Sequence, residues 1–429
     1  MLNQEFTAKE FLYLVRRGDY FTYFKNDNKE EKTEDLRKEL LQYVADNWNS
    51  CANLFSTLKT TILKGKTTYI LEKIKKDNSN LKQRLIDDFV LRKVNKNLRR
   101  TYGVRQSDRY KIIKNVKSLL SENSPFYVCK TDIKHFYETI NRDKILSDIR
   151  SSSILSFDTK FILEKFFSNE LFHDMQGLPR GINISATLSE YFMRYFDKEI
   201  RKICGVYYYA RFVDDIIIFS TKEITKSTLK QISELLPKGL ALNLEKTNIV
   251  KFHNNSSLFL KDKLSITFLG YQFFKYAEKN KKHETKIKIK TVIAPQKIKK
   301  IKERLIKTFI AFSKHKDIKL LKDRLLFLSA NYPIKSMRQE LTPYDKIGYL
   351  HGGIAYNYPL IDDTSCLKEL DTFLFQLINT TAFSKINNTF TPGQRKELQK
   401  YSFYTGYQRR IKRMFNFNRR TEIVECWSE

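Results

Sequence analysis

The stretch Tyr207-Tyr-Tyr-Ala-Arg-Phe-Val-Asp-Asp-Ile-Ile-Ile-Phe-Ser220 decides the fold of this chain. Residues 207–212 and 216–220 are rich in the aromatic and β-branched side chains that favour strands, and Val213-Asp214-Asp215 separates them. This pattern predicts a β-hairpin with two adjacent carboxylates at its turn. Adjacent carboxylates repel each other, so such a pair persists where cations or hydrogen-bond donors hold it.

The flanking sequence supplies the other elements of a mixed domain. Phe126-Tyr-Val-Cys-Lys-Thr-Asp132 alternates apolar and polar residues, which predicts a strand that ends at an acid. A helix over 185–203 is expected after a glycine-rich turn, and Ile266-Thr-Phe-Leu-Gly-Tyr-Gln-Phe273 is typical of a strand with Gly270 at its centre. Because strands and helices interleave through short loops, we predict an α+β domain with an antiparallel sheet.

Helical patterns dominate on both sides of this domain. The spacing of apolar residues predicts helices over 34–47 and 69–94. Gly65-Lys66-Thr67 is not the end of a phosphate-binding P-loop, because Thr60 stands where that motif needs glycine. The β signal fades from residue 283 onward, and a lysine-rich amphipathic helix is expected near 298–309.

Composition and charge restrict the classes of partner. The 429 residues are 41% apolar and 14% aromatic, which excludes a wholly disordered chain. Lys and Arg total 79 against 48 Asp and Glu, a net charge of +31 that points to a polyanion, most often nucleic acid. The sequence shows no apolar run of about 18 residues, no secretory signal and no Cys-x-x-Cys spacing, so we expect a cytoplasmic protein without a membrane anchor.

Two strand-ending acidic positions are the first candidate site. Carboxylates from Asp132 and from Asp214-Asp215 could jointly hold two divalent cations about 3.5–4 Å apart, the arrangement that phosphoryl or nucleotidyl transfer needs. The alternative is a solvated hairpin turn and an unrelated helix-capping Asp132. The dipeptide alone is weak evidence, since Asp87-Asp88 and Asp362-Asp363 also occur.

The order of further motifs resembles the palm of reverse transcriptases. The resemblance rests on these motifs: Lys130-Thr-Asp-Ile-Lys-His-Phe-Tyr-Glu-Thr-Ile140, Gly177-Leu-Pro-Arg-Gly-Ile-Asn-Ile-Ser185, Tyr209-Ala-Arg-Phe-Val-Asp-Asp215, Leu244-Glu-Lys-Thr247 and Phe268-Leu-Gly-Tyr271. They occur in the family's order and at its spacing over about 150 residues. The resemblance implies a right-hand polymerase that extends DNA from deoxynucleotides (dNTPs) on an RNA template with two Mg²⁺ ions.

The resemblance also implies roles for single residues near the acids. Asp132, Asp214 and Asp215 match the catalytic, metal-binding carboxylates, and the Ile133 carbonyl is a further candidate ligand. Tyr137 matches an aromatic gate that excludes a 2′-hydroxyl, the alternative being an ordinary core aromatic. Lys246 matches a lysine that assists pyrophosphate release, the alternative being a solvated lysine.

Other matched positions concern the nucleotide and the primer. Leu98-Arg-Arg-Thr-Tyr-Gly-Val-Arg-Gln-Ser-Asp-Arg109 resembles a fingers motif, in which Arg99 would hold the incoming triphosphate, although the usual Pro after the glycine is missing. Arg180 and Gly181 belong to the loop beside the nucleotide, and Arg180 replaces the usual Gln. Three further matches would contact the primer or other nucleic acid: Phe212, which replaces the usual Tyr, Leu269-Gly270 and Tyr271.

The subtype implied by the resemblance is a bacterial antiphage or abortive-infection reverse transcriptase, most similar to the smaller polymerase of type 3 two-polymerase defence systems. That subtype implies a non-coding RNA as template or scaffold, a DNA product, a second reverse transcriptase subunit and a homo- or hetero-oligomer. The C-terminal region interleaves aromatic residues with Arg and Lys, which suits stacking on unpaired bases or, alternatively, helices that pack on the thumb. A non-catalytic RNA-binding scaffold is the rival function for the whole chain.

These patterns divide the chain into four predicted regions. We expect a helical N-terminal extension with part of the fingers at 1–95 and the fingers–palm domain at 96–280. A helical thumb at 281–350 and a helical basic–aromatic region at 351–429 complete the prediction.

Overall fold

The computed structural model describes residues 3–24, 30–63, 65–75, 77–122, 124–252, 264–279, 285–336, 349–380 and 390–427. The chain forms two compact units. The first includes Met1–Asp108 and Phe126–Ile249, and the second includes Arg109–Pro125, Val250–Met337 and Tyr344–Glu429. Each unit has a hydrophobic core of its own.

A central antiparallel sheet organises the first unit. Its strands β3 (Phe126–Asp132), β4 (Val206–Phe212) and β5 (Asp215–Ser220) lie in the order β4-β5-β3, with β6 (Asn248–Phe252) following β3. β5 pairs antiparallel with both neighbours. Ile216–Phe219 are fully buried, as expected for the middle strand of a sheet covered on both faces. The predicted strand at 126–132 and the predicted hairpin are confirmed.

Helices surround this sheet in the first unit. The long helix α9 begins at Asn183, two residues before the predicted start, and a short 3-10 turn extends it to Lys202. The helices are α1 (Ala8–Leu12), α2 (Arg17–Thr22), α3 (Glu30–Asn47), α4 (Leu81–Thr101), α6 (Phe136–Thr139), α7 (Arg142–Arg150), α8 (Phe157–Phe167), α9 (Asn183–Glu199) and α10 (Lys226–Leu235), while α5 (Arg109–Leu120) belongs to the second unit.

The predicted helix at 69–94 is wrong over nearly its first half. The residues up to Leu71 form β2 (Lys66–Leu71), which pairs antiparallel with β1 (Leu58–Leu63), and α4 begins only at Leu81. The β-branched residues on both sides of Gly65 favour a hairpin locally, and this preference outweighs the helical spacing of the apolar residues.

The second unit contains more strand than the sequence predicted. The segment 266–273 is a hairpin rather than one strand, because β7 (Leu264–Phe268) and β8 (Tyr271–Lys279) meet at a Leu269-Gly270 turn. The β signal does not end at 283, since β9 (Thr285–Ile293) pairs with β8 over its whole length. A second pair, β10 (Asn331–Ser336) and β11 (Tyr349–Gly353), is also antiparallel.

Seven further helices lie in the described part of the second unit. The predicted lysine-rich helix is present and extends over Pro295–His315. The helices are α11 (Pro295–His315), α12 (Ile318–Ser329), α13 (Ile354–Asn357), α14 (Ser365–Asn379), α15 (Pro392–Leu398), α16 (Phe403–Gln408) and α17 (Phe417–Glu425).

The predicted α+β class with antiparallel sheets is confirmed. The four predicted region limits stay a prediction. In the described parts of the chain, no helix has the length and apolar character needed to cross a membrane.

Candidate active site

The structure brings the three predicted carboxylates together at one end of the central sheet. Asp132 ends β3 and lies directly opposite Asp215, the first residue of β5. Asp214 occupies the β4–β5 turn, and its carbonyl accepts a hydrogen bond from the backbone N–H of Ile133 at 3.1 Å. The main chains of both acidic segments are therefore bonded to each other at this end of the sheet.

Within the described residues, one oxygen of Asp132 has no hydrogen-bond partner. The residue is 8% exposed, and its Oδ2 accepts from the Asn243 side-chain amide at 3.3 Å, with Lys246 Nζ at 3.5 Å. Its Oδ1 is buried without a hydrogen bond. Burial of an unpaired carboxylate oxygen costs free energy, and a cation bound to this atom would offset that cost.

The turn that carries Asp214 has a strained backbone, and the Arg211 side chain binds it. Val213 has φ of 61°, a left-handed conformation that a β-branched residue adopts at a cost of about 1–3 kcal/mol. Arg211 donates to the Val213 carbonyl at 2.9 Å and is itself only 4% exposed. The same guanidinium bonds both carboxylate oxygens of Glu190 and of Asp197 on α9.

Arg211 thus uses all of its N–H groups to join α9, β4 and the turn that carries Asp214. Burial alone would lower the pKa of its guanidinium, but the hydrogen bonds and charges of Asp197 and Glu190 raise that pKa. The ion-pair network therefore keeps the Arg211 guanidinium protonated beneath the turn, with its charge balanced by the two carboxylates.

Tyr137 lies in the same neighbourhood, on the short helix α6. Its ring is half-buried, and burial raises the pKa of its hydroxyl, with the charges of Glu190 and Asp214 adding to that effect. Its carbonyl accepts from the Leu178 N–H at 2.8 Å, which ties the residue to the Gly177–Gly181 loop.

Arg180 covers the ring of Tyr137. The guanidinium carbon lies 5.1 Å from the ring centroid, and Nε and Nη2 each donate to a Glu138 oxygen at 3.0 Å. Lys66 Nζ lies 3.6 Å from the same carboxylate. The charge that replaces the family's usual Gln is thus paired within the protein.

The two glycines of this loop accommodate the chain's own backbone. A Cβ at Gly177 would lie 2.1 Å from the Tyr137 carbonyl oxygen, and one at Gly181, where φ is 93°, would lie 2.5 Å from the Tyr69 oxygen. The Tyr69 N–H donates to the Arg180 carbonyl at 2.7 Å. Close contact with β2 and α6 therefore requires glycine at both positions.

The remaining predicted residues of the first unit lie in different surroundings. Phe212 is half-buried at the end of β4, opposite Asp215. Lys246 is 66% exposed in its side chain, in a short 3-10 turn. Arg99 is exposed near the end of α4 and lines a cavity that Gly181 also lines.

Leu269, Gly270 and Tyr271 belong to the second unit. Leu269 and Gly270 have φ of 45° and 83° and form a two-residue hairpin turn. Arg109 fixes this turn, because its Nη2 donates to the Leu269 carbonyl at 2.7 Å and its guanidinium lies 5.1 Å from the Tyr271 ring centroid. Tyr271 is 1% exposed, so its ring serves the core of this unit.

The acidic site fits a divalent cation that is shared with a substrate. In the described residues, no three His, Cys, Asp or Glu side chains form a preassembled metal cluster. Mg²⁺, however, commonly binds through one or two carboxylates and completes its shell with water and substrate phosphates. The unpaired Asp132 Oδ1 and the neighbouring Asp214 and Asp215 provide such a partial shell.

Sequence reasoning missed the residues that support this site. Arg211, Glu138 and Lys66 stand in motifs given above but had no assigned role, and Asn243 was not singled out. The β-branched residues flanking Gly65 were the available signal for the hairpin that carries Lys66. The pairing of Arg211 with Glu190 and Asp197 has no local sequence signal, because it depends on how α9 packs on β4.

Comparison with protein families finds a match to the central part of the chain. A family model described as reverse transcriptase (RNA-dependent DNA polymerase) matches residues 74–273. This range contains the acids, Tyr137, the 177–181 loop and Lys246. Residues 74–273 therefore match a reverse-transcriptase domain, and they have the α+β fold described above.

Solved structures with detectable similarity include yeast telomerases. The apo telomerase of Candida tropicalis, truncated from its C-terminal domain, is 17% identical with a TM-score of 0.34, covering 55% of this chain and 58% of that one. The telomerase of Candida albicans with a fragment of telomeric RNA is 15% identical with a TM-score of 0.33, covering 50% of this chain and 43% of that one. The chain thus spans about half the length of these proteins. Comparison with curated proteins found no significant match.

Proposed function

We propose that this chain is an RNA-directed DNA polymerase that extends a DNA strand from deoxynucleotides by a two-metal mechanism. The observation that carries the proposal concerns Asp132 Oδ1. This carboxylate oxygen lies near Asp214 and Asp215, and it is buried without a hydrogen bond to any described residue. It lies within the reverse-transcriptase domain. The intact set of three acids argues against a purely structural RNA-binding scaffold.

Asp132 and Asp214 would hold the cations, with Asp215 and the Ile133 carbonyl as accessory ligands. When bound, two Mg²⁺ ions lower the pKa of the primer 3′-hydroxyl and stabilise charge on the transferring phosphoryl group. The chain's own residues position the reactants. Arg211 holds the turn of Asp214 in place.

The neighbouring residues would select and orient the nucleotide. The ring of Tyr137, backed by Arg180, would lie under the sugar and exclude a 2′-hydroxyl. Lys246, at 3.5 Å from Asp132, would place a positive charge near the departing pyrophosphate. Arg99 and Gly181 are the further nucleotide candidates. Phe212 and the Leu269-Gly270-Tyr271 turn are the candidates for primer contact.

The test is Asp214→Ala in a primer-extension assay with an RNA template, Mg²⁺ and labelled deoxynucleotides. Metal ligands stabilise the transition state by several kcal/mol, so we expect synthesis to fall by about a thousandfold or more while RNA affinity is retained. Glu223→Ala, which removes an exposed acid outside the site, should leave both unchanged. Equal loss of synthesis and RNA affinity in Asp214→Ala would assign this residue to folding instead.

We further propose a role in bacterial antiphage defence, in the cytoplasm, with a cognate non-coding RNA and a second reverse transcriptase subunit in a homo- or hetero-oligomer. Support comes from the Gly-Leu-Pro-Arg-Gly-Ile loop and the aromatic C-terminal segment, which resemble that group. Purification from cells that carry the native locus, with sequencing of the bound RNA and DNA, tests the partners. Loss of phage resistance in the Asp214→Ala strain would support the role, and retained resistance would contradict it.

A further inference from the structure

A basic cavity of about 1220 Å³ lies in the first unit, apart from the three acids. It is lined by α1–α3, by the second half of α4 with the loop that follows it, by β2 and by the start of α9. Asp132, Asp214 and Asp215 are not among its lining residues. The N-terminal segment contributes the walls at positions 12–71, and residues at 84–105 and 181–184, within the segment that matches the reverse-transcriptase family, contribute the rest.

The positive charges around the cavity fall into two groups. Arg84, Arg92, Lys96 and Arg37 form ion pairs with acids of the same unit, so they hold the wall together. A second group follows in one run of sequence and is exposed. These are Arg99, Arg100 and Arg105, and they have no acidic partner within the described parts of the chain. Three unpaired guanidinium groups beside one cavity are suited to phosphate oxygens.

Apolar and aromatic side chains interrupt these charges. Tyr13 is 53% exposed and Ile70 is 40% exposed, although both lie at the cavity. Lys96 Nζ lies 5.4 Å from the centroid of the Tyr13 ring. Exposed aromatic rings next to cationic groups provide stacking surfaces for unpaired bases.

We propose that this cavity binds a single-stranded segment of RNA, with Arg99, Arg100 and Arg105 on its phosphates and Tyr13 against a base. The cavity, at about 1220 Å³, exceeds the roughly 300–1,000 Å³ of ordinary small-molecule sites. A Mg²⁺-bound triphosphate would need carboxylates available to the cation, whereas Asp88 in the cavity wall is already paired with Arg84 and Arg92. Both points favour an RNA strand over a nucleotide. The proposal rests on the proposed function, in which RNA is the template, and it reassigns Arg99 from the triphosphate to the RNA.

The experiment measures binding of a fluorescein-labelled 12-nucleotide oligouridylate by anisotropy, in EDTA and without nucleotides. The variant R99Q/R100Q/R105Q removes the three unpaired charges. The matched control K226Q/K230Q/K238Q removes three exposed charges from α10 and the loop after it, outside the cavity. A second pair, Tyr13→Ala and Tyr13→Phe, tests the stacking surface.

We expect the arginine variant to bind RNA at least tenfold more weakly, with a salt slope smaller by about 2, since each lost contact to a single strand reduces the slope by about 0.7. The lysine control should change affinity less than threefold. Tyr13→Ala should weaken binding while Tyr13→Phe does not. Equal effects of the arginine and lysine variants, or no effect of either, would overturn the proposal.

Two further results distinguish this proposal from triphosphate binding by Arg99 and from the proposed polymerase function. An unchanged RNA affinity with a raised KM for deoxynucleotides, measured at saturating template, would overturn it and return Arg99 to the triphosphate. Because binding is measured without metal or nucleotides, it does not depend on catalysis. A wild-type chain that binds RNA through the cavity but makes no DNA would overturn the proposed function and leave this proposal standing.

Discussion

At the scale of single residues, Arg211 connects the packing of α9 to the turn that carries Asp214. Its side chain bonds two carboxylates of α9 and the carbonyl of the strained Val213, the residue before Asp214. A lysine retains the charge but loses the planar fork that makes these bonds simultaneously. Arg211→Lys should therefore leave the Val213 turn without its support.

We expect Arg211→Lys to raise the Mg²⁺ concentration that gives half-maximal DNA synthesis by about tenfold or more, because a displaced Asp214 binds the cation less well. Primer extension across a Mg²⁺ series measures this, and thermal unfolding checks the fold. Arg150→Lys is the control, since Arg150 pairs with Glu164 at an exposed position. An unchanged Mg²⁺ dependence with a lowered Tm would restrict Arg211 to a structural role.

Tyr137 allows a second test at the same scale. The Arg180 guanidinium covers one face of its ring, and the Leu178 N–H binds its carbonyl, so both contacts position the residue. Tyr137→Ala should lower the preference for deoxynucleotides over ribonucleotides at least tenfold, as judged by the ratio of kcat/KM values. Tyr137→Phe keeps the ring and should keep the preference. Unchanged sugar selectivity in Tyr137→Ala would make the ring an ordinary core aromatic.

At the scale of elements, a buried ion-pair network attaches α2 to α4. Arg92 bonds both oxygens of Asp19 at 2.6 and 2.9 Å and also both oxygens of Asp88, and Tyr23 donates to Asp88 at 2.8 Å. Burial alone would raise the pKa of Asp88, but the charges of Arg92 and Arg84 lower it. Folding therefore favours the ionised form of this carboxyl.

The sign of the pH dependence follows from that lowered pKa. The unfolded chain binds a proton at Asp88 near pH 4, while the folded chain does so only at lower pH. The stabilisation is thus complete above about pH 4 and is lost as the pH falls through the lowered folded value. We expect the N-terminal helices to unfold more readily as the pH drops below 4.

Tryptophan fluorescence can isolate this effect. Trp48 is buried against Phe6 near these helices, and Trp427→Phe leaves it as the single tryptophan of the chain. In that background, Asp88→Asn should lower the free energy of unfolding by about 3–5 kcal/mol at pH 6 and flatten its acid dependence. Asp35→Asn, at an exposed position, should change neither. An acid dependence that persists unchanged in Asp88→Asn would refute the assignment.

The same scale shows what the sequence could predict. Strands β3, β4 and β5 were predictable because alternation, β-branched runs and turn acids agree there. β9 was missed although Lys and Ile alternate along it, since its high charge obscures the apolar face. That Asp132 lies beside Asp214 and Asp215 was predictable from the strand pattern and the motif order. The Arg211 network and the basic cavity were not, because they arise from segments distant in sequence that only packing brings together.

At the scale of the whole molecule, ion pairs within the protein do not change its net charge of +31. Single ion pairs inside the protein neutralise individual side chains such as Arg180 and Arg92, but they leave the excess of 79 basic over 48 acidic residues unchanged. Phosphate contacts release counterions, so binding that engages this excess must weaken as salt is added. Binding through uncharged contacts would not.

We expect the affinity for RNA to fall by about 10³-fold or more between 50 and 200 mM salt, the loss expected for six or more phosphate contacts. Two RNAs of unrelated sequence should give the same slope, because the electrostatic part of binding does not read bases. A peptide nucleic acid of matched sequence, which lacks phosphates, serves as the control and should bind weakly with no salt dependence. If RNA also showed a flat response, the positive charge would not be engaged in phosphate contacts, and recognition would have to come from bases and shape instead.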